Sequence, residues 1–187
     1  EGILYGSLIN LKIENMKEQH KGAAAKAEMQ KKQKLAPAEP VKDFGFVSVT
    51  SGAGLEDLFK DLGVDVIVRG GQTMNPSTED ILEAINATPA RNIFVLPNNK
   101  NIIMAAQQCD ALTEKQVIVI PTKTVPQGIT AMMNVDFEAP DADSITQAMT
   151  EALSTVTTAQ ITYAARNSDF DGFDIKEGDY LALEEGR

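Results

Sequence analysis

The chain is short of the residues that nucleophilic and metal chemistry use most. In 187 residues there is one cysteine, Cys109, and one histidine, His20. An intramolecular disulfide is therefore excluded, and so is any Cys/His metal cluster. No apolar run approaches the roughly 20 residues a membrane helix needs. The first residues also lack the basic-then-apolar order of a secretory signal. A cytoplasmic protein is the expectation. Positive charge is scarce too, with 17 Lys and Arg against 27 Asp and Glu and a net charge of −10. Such a surface repels a polyanionic backbone, so nucleic acid is not an expected partner. What is present is ordinary for a folded domain: 43% hydrophobic and 24% charged residues, far from the composition of disorder.

Charge and hydrophobicity shift along the chain. Residues 17–42 hold seven basic and three acidic side chains, whereas residues 136–187 hold three basic and twelve acidic. This polarity suits either two solvated faces or an oriented docking surface. Ile3, Leu4, Leu8, Ile9, Leu11 and Ile13 are too hydrophobic for a free terminus and too few to form a core, so residues 1–15 read as a remnant of a preceding domain. Residues 16–43 read as a solvated helical linker. Its stretch from Lys17 to Leu35 favours helix by propensity but carries no apolar stripe, and Pro37 and Pro40 end it. Residues 44–187 read as an α/β domain that continues past the end of the chain.

Within that domain, Phe46–Val49, Val64–Val68, Ile93–Leu96 and Val117–Ile120 are short Val- and Ile-rich runs with little alternation, the pattern of strands buried on both faces. Between them Leu55, Leu58, Phe59 and Leu62 follow a helical spacing, as do Ile102, Ala105, Ala106 and Cys109. Ile81, Leu82 and Ile85 follow a capping pattern from Ser77 to Asp80. The strands are one βα unit apart, which predicts a doubly wound, mainly parallel sheet with helices on both faces. A further helix is predicted from Ile145 to Val156 with Ser144 as its cap. Short antiparallel strands are expected over Gln160–Arg166, Phe173–Ile175 and Tyr180–Leu183, the last two joined across Lys176–Asp179.

Ligands of open parallel sheets bind beyond the carboxyl ends of the strands. Four loops fall there: Thr50–Gly54, Gly70–Thr78, Pro97–Asn101 and Pro121–Gly128. Each combines Gly or Pro with short hydrogen-bonding side chains. The candidate partner- or ligand-binding residues are Ser51 and Gly52; Gly70, Gly71, Gln72, Thr73 and Asn75; Asn98, Asn99 and Lys100; and Thr122, Lys123, Thr124 and Gln127. Tight-turn and capping roles would explain any one loop. Four on one edge point to a binding surface.

No catalytic constellation emerges. Gly52-Ala-Gly54 resembles the opening of a dinucleotide fingerprint, but Asp57 occupies the place of the third glycine, and no phosphate loop with its lysine follows a strand. Asp169, Asp171 and Asp174 surround Gly172, yet Phe173 sits where a calcium loop needs an oxygen. That stretch reads as a solvated turn. Cys109 lies on an apolar helix stripe and reads as a small core residue. His20 reads as solvated.

The strings Leu11-Lys-Ile-Glu-Asn-Met-Lys-Glu-Gln-His20, Val47-Ser-Val-Thr-Ser-Gly-Ala-Gly-Leu55, Arg69-Gly-Gly-Gln-Thr-Met-Asn-Pro-Ser77, Leu96-Pro-Asn-Asn-Lys-Asn101 and Pro121-Thr-Lys-Thr-Val-Pro-Gln-Gly128 carry a family likeness. Over nearly its whole length the chain resembles the C-terminal part of the YloV/FakA family, bacterial fatty acid kinases related to dihydroxyacetone kinase. The resemblance implies a three-domain protein. Its N-terminal DhaL domain would hold ATP and magnesium, and its C-terminal domain would engage FakB, a DegV-like carrier whose bound fatty acid becomes an acyl phosphate. This chain would then be an accessory part, inactive alone, with no cofactor of its own and with FakB and the upstream kinase domains as partners. Two other readings use the same loops differently: a sensor of a small anion or phosphorylated metabolite, and a structural or homodimerising module.

Overall fold

The structure, a computed structural model, describes residues 36–184 apart from residues 72, 73 and 171 and the Phe170 side chain. The proposed remnant at 1–15, His20 and the linker helix over 17–35 lie outside the described residues.

Four parallel strands form the main sheet: β1 (Lys42–Thr50), β2 (Val66–Arg69), β3 (Ala90–Leu96) and β4 (Gln116–Val119), in the order β2-β1-β3-β4. Register pairs Val47 with Val66, Phe46 with Phe94, and Ile93 with Val117. The connecting helices are α1 (Ala53–Asp61), α2 (Thr78–Ala87), α3 (Ile103–Gln108) and α4 (Val125–Met133), followed by α5 (Ala142–Leu153). Successive side chains of a strand point to opposite faces, and here each face has its own core. Val47, Val49, Ile93 and Val95 pack with Ile81 and Ile85 of α2 and with Ile102 and Ala106. Phe46, Phe94 and Leu96 pack with Phe59 of α1, Ala131 and Met132 of α4, and Ile145 and Met149 of α5. The Phe46 and Phe94 rings stack at 5.2 Å, adding aromatic contact to burial of about 2 kcal/mol or more per ring. The sheet is doubly wound, as the apolar runs imply.

Local chemistry sets the helix boundaries. Ser77 and Asp80 make a reciprocal capping box at the start of α2, and Lys115 closes the other end by donating its Nζ to the carbonyls of Ile85, Asn86 and Thr88. Cationic donors at a helix C-terminus satisfy carbonyls that no backbone amide reaches. The cap of α5 is Asp141, not Ser144: the Asp141 carboxylate accepts from the Ser144 amide at 2.8 Å, which holds its acidity below the usual carboxylate range. Cys109 is fully buried, and burial pushes its thiol up to about 11; it is a core residue.

The C-terminal strands pair differently from the sequence expectation. β5 (Ala159–Tyr163) pairs antiparallel with β8 (Tyr180–Glu184), and β6 (Ser168–Phe170) with β7 (Phe173–Ile175). The turn over Lys176–Asp179 thus joins β7 to β8 without pairing them. The aspartate-rich stretch is the turn of the β6–β7 hairpin, nested inside the β5–β8 ribbon. Among the described residues no group of three or more His, Cys, Asp or Glu could hold a metal ion.

Candidate functional site at the carboxyl edge of the sheet

The strand order places a topological switch point between β1 and β3. The chain leaves β1 toward β2 on one side and later passes to β3 and β4 on the other, so the loops after β1 and β3 diverge and leave a crevice. Polar burial gathers at this edge. The buried polar residues are Ser48, Thr50, Thr88, Asn98, Thr122, Gln127 and Thr158. All but Thr88, Gln127 and Thr158 stand at the carboxyl ends of β1, β3 and β4 or in the loops just beyond them. Gln127 belongs to the first turn of α4, and Thr158 bonds Thr124 in the loop before α4.

Asn98 is the knot of the cluster. It is the only described non-glycine residue with positive φ, at 54°, a conformation asparagine tolerates better than most residues. This turns its side chain back under the sheet edge. Its Nδ2 donates to Ser48 Oγ and to the Val49 carbonyl, both at 2.9 Å, and its backbone amide donates to Thr122 Oγ1 at 2.9 Å. One residue thereby ties together the ends of β1, β3 and β4. Its Oδ1 faces the backbone of Gly128: a Cβ there would lie 2.0 Å from that oxygen. Two buried side-chain atoms of the cluster have no hydrogen-bond partner, Asn98 Oδ1 and Thr50 Oγ1.

The remaining predicted residues divide into three groups. Ser51, Asn75, Lys100 and Lys123 are exposed on the edge, while Asn99 is half-buried and donates to the Gly71 carbonyl at 3.4 Å, drawing the second and third loops together. Gly52 caps α1 with φ 100° and no side-chain hydrogen bond; glycine adopts that conformation without a steric penalty. Gly70 is buried and donates its amide to the Thr50 carbonyl. Gln72 and Thr73 lie outside the described residues. Asn98 and Thr122 are buried, so they shape the edge from beneath.

The fourth loop is shorter than the sequence suggests. Val125 to Gly128 form the first turn of α4, capped by Thr124, with Pro126 in the first turn. Gln127 is therefore a helical residue whose Oε1 accepts from the Lys123 amide at 2.8 Å. Thr124 with a proline two residues on is a helix-start signal, and it is present in the sequence. Ser48 and Thr50 are the residues that sequence reasoning misses as members of the cluster. Their signal is the replacement of apolar residues at alternate positions, Phe46, Ser48 and Thr50, as β1 approaches its end. Two open grooves of about 380 and 1330 Å³ lie at the opposite, amino edge, the smaller lined by Asp43, Asn92, Gln116 and Asp141. Neither reaches the polar cluster.

Fold and edge together define an open, doubly wound α/β domain with its buried polar network at the switch point. Residues 45–187 match the FakA-like C-terminal family of fatty acid kinases, and the chain belongs to that family. It is 44% identical over 184 residues to protein YloV of Bacillus subtilis, covering 97% of this chain and 32% of that protein. It is 41% identical over 186 residues to an uncharacterized protein of Staphylococcus epidermidis, covering 100% of this chain and 34% of that one. A Staphylococcus aureus protein, also uncharacterized, is 42% identical over 138 residues, covering 74% of this chain and 24% of its own length. The chain thus spans about a third or less of these relatives. Among the described residues no helix is long and apolar enough to cross a membrane.

Proposed function

We propose that this chain is the carrier-docking part of a bacterial fatty acid kinase. The carboxyl edge of its sheet receives a DegV-like fatty-acid-binding protein of the FakB kind. A separate DhaL domain of the whole protein, holding ATP and magnesium, then phosphorylates the carboxylate of the carried fatty acid. The observation that carries this reading is the family match over residues 45–187. Support comes from the edge itself, where Ser51, Asn75, Lys100 and Lys123 are exposed on loops held from beneath by the Asn98 network.

Nucleotide chemistry is assigned elsewhere on the donor set. A magnesium nucleotide needs carboxylates grouped around the ion and a phosphate-cradling loop. The described residues offer no cluster of three acidic or imidazole groups, and the sequence has no glycine-rich phosphate loop with its lysine. Calorimetry on the isolated chain tests both halves. Binding to a fatty-acid-loaded DegV-like carrier is expected, together with no micromolar affinity for magnesium ATP. Tight nucleotide binding, or a carrier that ignores the chain, would contradict the assignment.

A further inference from the structure

Thr50 and Asn98 pose a problem that carrier docking does not resolve. A buried polar atom without a partner costs about 1–3 kcal/mol, and such atoms are rare in folded proteins. Here two occur in one cluster: the hydroxyl of Thr50, 2% exposed, and Oδ1 of Asn98, 7% exposed. Thr50 alternates along β1 with Ser48 and Phe46, so it points to the face of the sheet that carries α1 and α4. Asn98 Oδ1 lies on the same face, against Gly128 of α4. The Asn98 amide is fixed in orientation, because its Nδ2 faces the Val49 carbonyl. The unpartnered oxygen can therefore only accept a hydrogen bond, while the hydroxyl can donate or accept.

Two residues beyond Thr50, helix α1 begins without a side-chain cap. Its first amides are unmatched donors with partial positive charge. Gly52 and Gly54 leave open space there, since a Cβ on either would meet no atom within 4 Å. The charged side chains at this edge are Glu56 and Asp57 on α1, Arg69 at the end of β2, Glu79 and Asp80 on α2, and Lys100 and Lys123. Glu56 is bonded at both oxygens to Arg69, and Asp80 accepts from the Ser77 amide. Lys100 and Lys123 stand exposed in neighbouring loops, because β3 and β4 are adjacent.

We infer that the crevice between the β1 and β3 loops is a seat for a monoprotonated phosphate group. A carboxylate at neutral pH offers only acceptors and would leave Asn98 Oδ1 bare. The phosphate monoanion supplies both polarities. Its P–OH donates to Asn98 Oδ1, and its other oxygens accept from the Thr50 hydroxyl and from the first amides of α1. Lys100 and Lys123 supply the net attraction in an acidic domain. The inference stands apart from carrier docking, since it concerns the chain alone.

The recognition mode predicts an unusual selectivity. Sulfate matches phosphate in size but carries no proton, so it cannot satisfy Asn98. Phosphate monoesters lose their second proton near pH 6, so affinity should fall as pH rises, the reverse of what lysines contacting a dianion would give. The test is calorimetry of the whole 187-residue chain with methyl phosphate, inorganic phosphate and sulfate at about pH 5.5 and about pH 8, either side of that second ionisation. Expected are binding of at least one phosphate, no binding of sulfate, and an affinity about tenfold or more weaker at the higher pH. Tighter binding of the ester would mean that the ligand carries an organic group; equal binding would mean that phosphate itself suffices. Thr50→Val keeps the strand shape and should weaken phosphate binding tenfold or more. Sulfate binding as well as phosphate, a pH trend of the opposite sign, or a Thr50→Val chain that binds unchanged would overturn the inference. So would a Thr50→Val chain that is merely more heat-stable while the parent shows no phosphate affinity, since the hydroxyl would then be an unused polar group.

Discussion

Replacing Gly128 with alanine is expected to destabilise the domain by about 3 kcal/mol, although the same change in an exposed helix would stabilise by about 1 kcal/mol. The new methyl would lie 2.0 Å from Asn98 Oδ1 and 2.8 Å from its Cγ, distances no side-chain carbon tolerates. A free side chain would swing away. Asn98 cannot do so cheaply, because movement breaks its bonds to Ser48 and Val49 and leaves buried groups unpaired. The competing outcome is a shift of α4, which would pull Met132 and Ala131 from the core they share with Phe46 and Leu96. A double-mutant cycle separates steric conflict from general helix disturbance. Asn98→Gly keeps the positive φ and removes the obstructing amide, so Gly128→Ala should cost far less in that background. Coupling of about 1 kcal/mol or more in denaturant melts is the expected result. Additive costs would show that the contact is not the cause.

The second large effect is on binding. Lys100→Glu combined with Lys123→Glu should weaken carrier affinity tenfold or more at low salt, about 1.4 kcal/mol, and the loss should shrink as salt screens the contact. Both side chains are exposed, and each stands in a loop that follows a sheet strand. Their reversal should leave the melting temperature within a degree or two, since solvated loop substitutions seldom move stability. On a chain of net charge −10, these two are a local positive spot, and reversing them leaves an anionic partner facing only repulsion. Titrating the carrier into parent and variant at two salt concentrations gives both numbers.

How much of this is legible in the sequence depends on how local the cause is. The parallel strands stand out because the two central strands are buried on both faces, so Phe46–Val49 and Ile93–Leu96 have to be nearly continuous apolar runs. Helix α2 announces itself through Ser77 and Asp80, whose capping box is a contact three residues long. Helix α4 is easily overlooked because Pro126 and Gly128 carry loop chemistry in isolation. In the structure the proline occupies the first turn, where its missing amide costs nothing, and the glycine is demanded by Asn98 from another loop. The pairing of β5 with β8 is not legible because both strands are short and half-exposed, and register between such strands is set by what they pack against.

For the site, the sequence marks the right edge and misjudges depth. Asn98, Thr122 and Gln127 look like candidate contacts for a partner, yet they are buried. No sequence pattern says which polar residues of a loop face outward. Ser48 and Thr50 look like ordinary strand residues, although their hydroxyls belong to the polar cluster. The exposed candidates Ser51, Lys100 and Lys123 and the buried knot beneath them together form one edge.

Hydrogen–deuterium exchange of the domain with and without a fatty-acid-loaded DegV-like carrier tests docking at that edge most directly. Protection is expected in the loops over Thr50–Gly54, Pro97–Asn101 and Pro121–Thr124, with the amino edge around Asp43, Asn92 and Gln116 unchanged. Protection confined to the ribbon of β5 and β8, where Ile161, Tyr163 and Tyr180 are exposed by 80%, 67% and 85%, would contradict it and move the docking surface to the C-terminal strands.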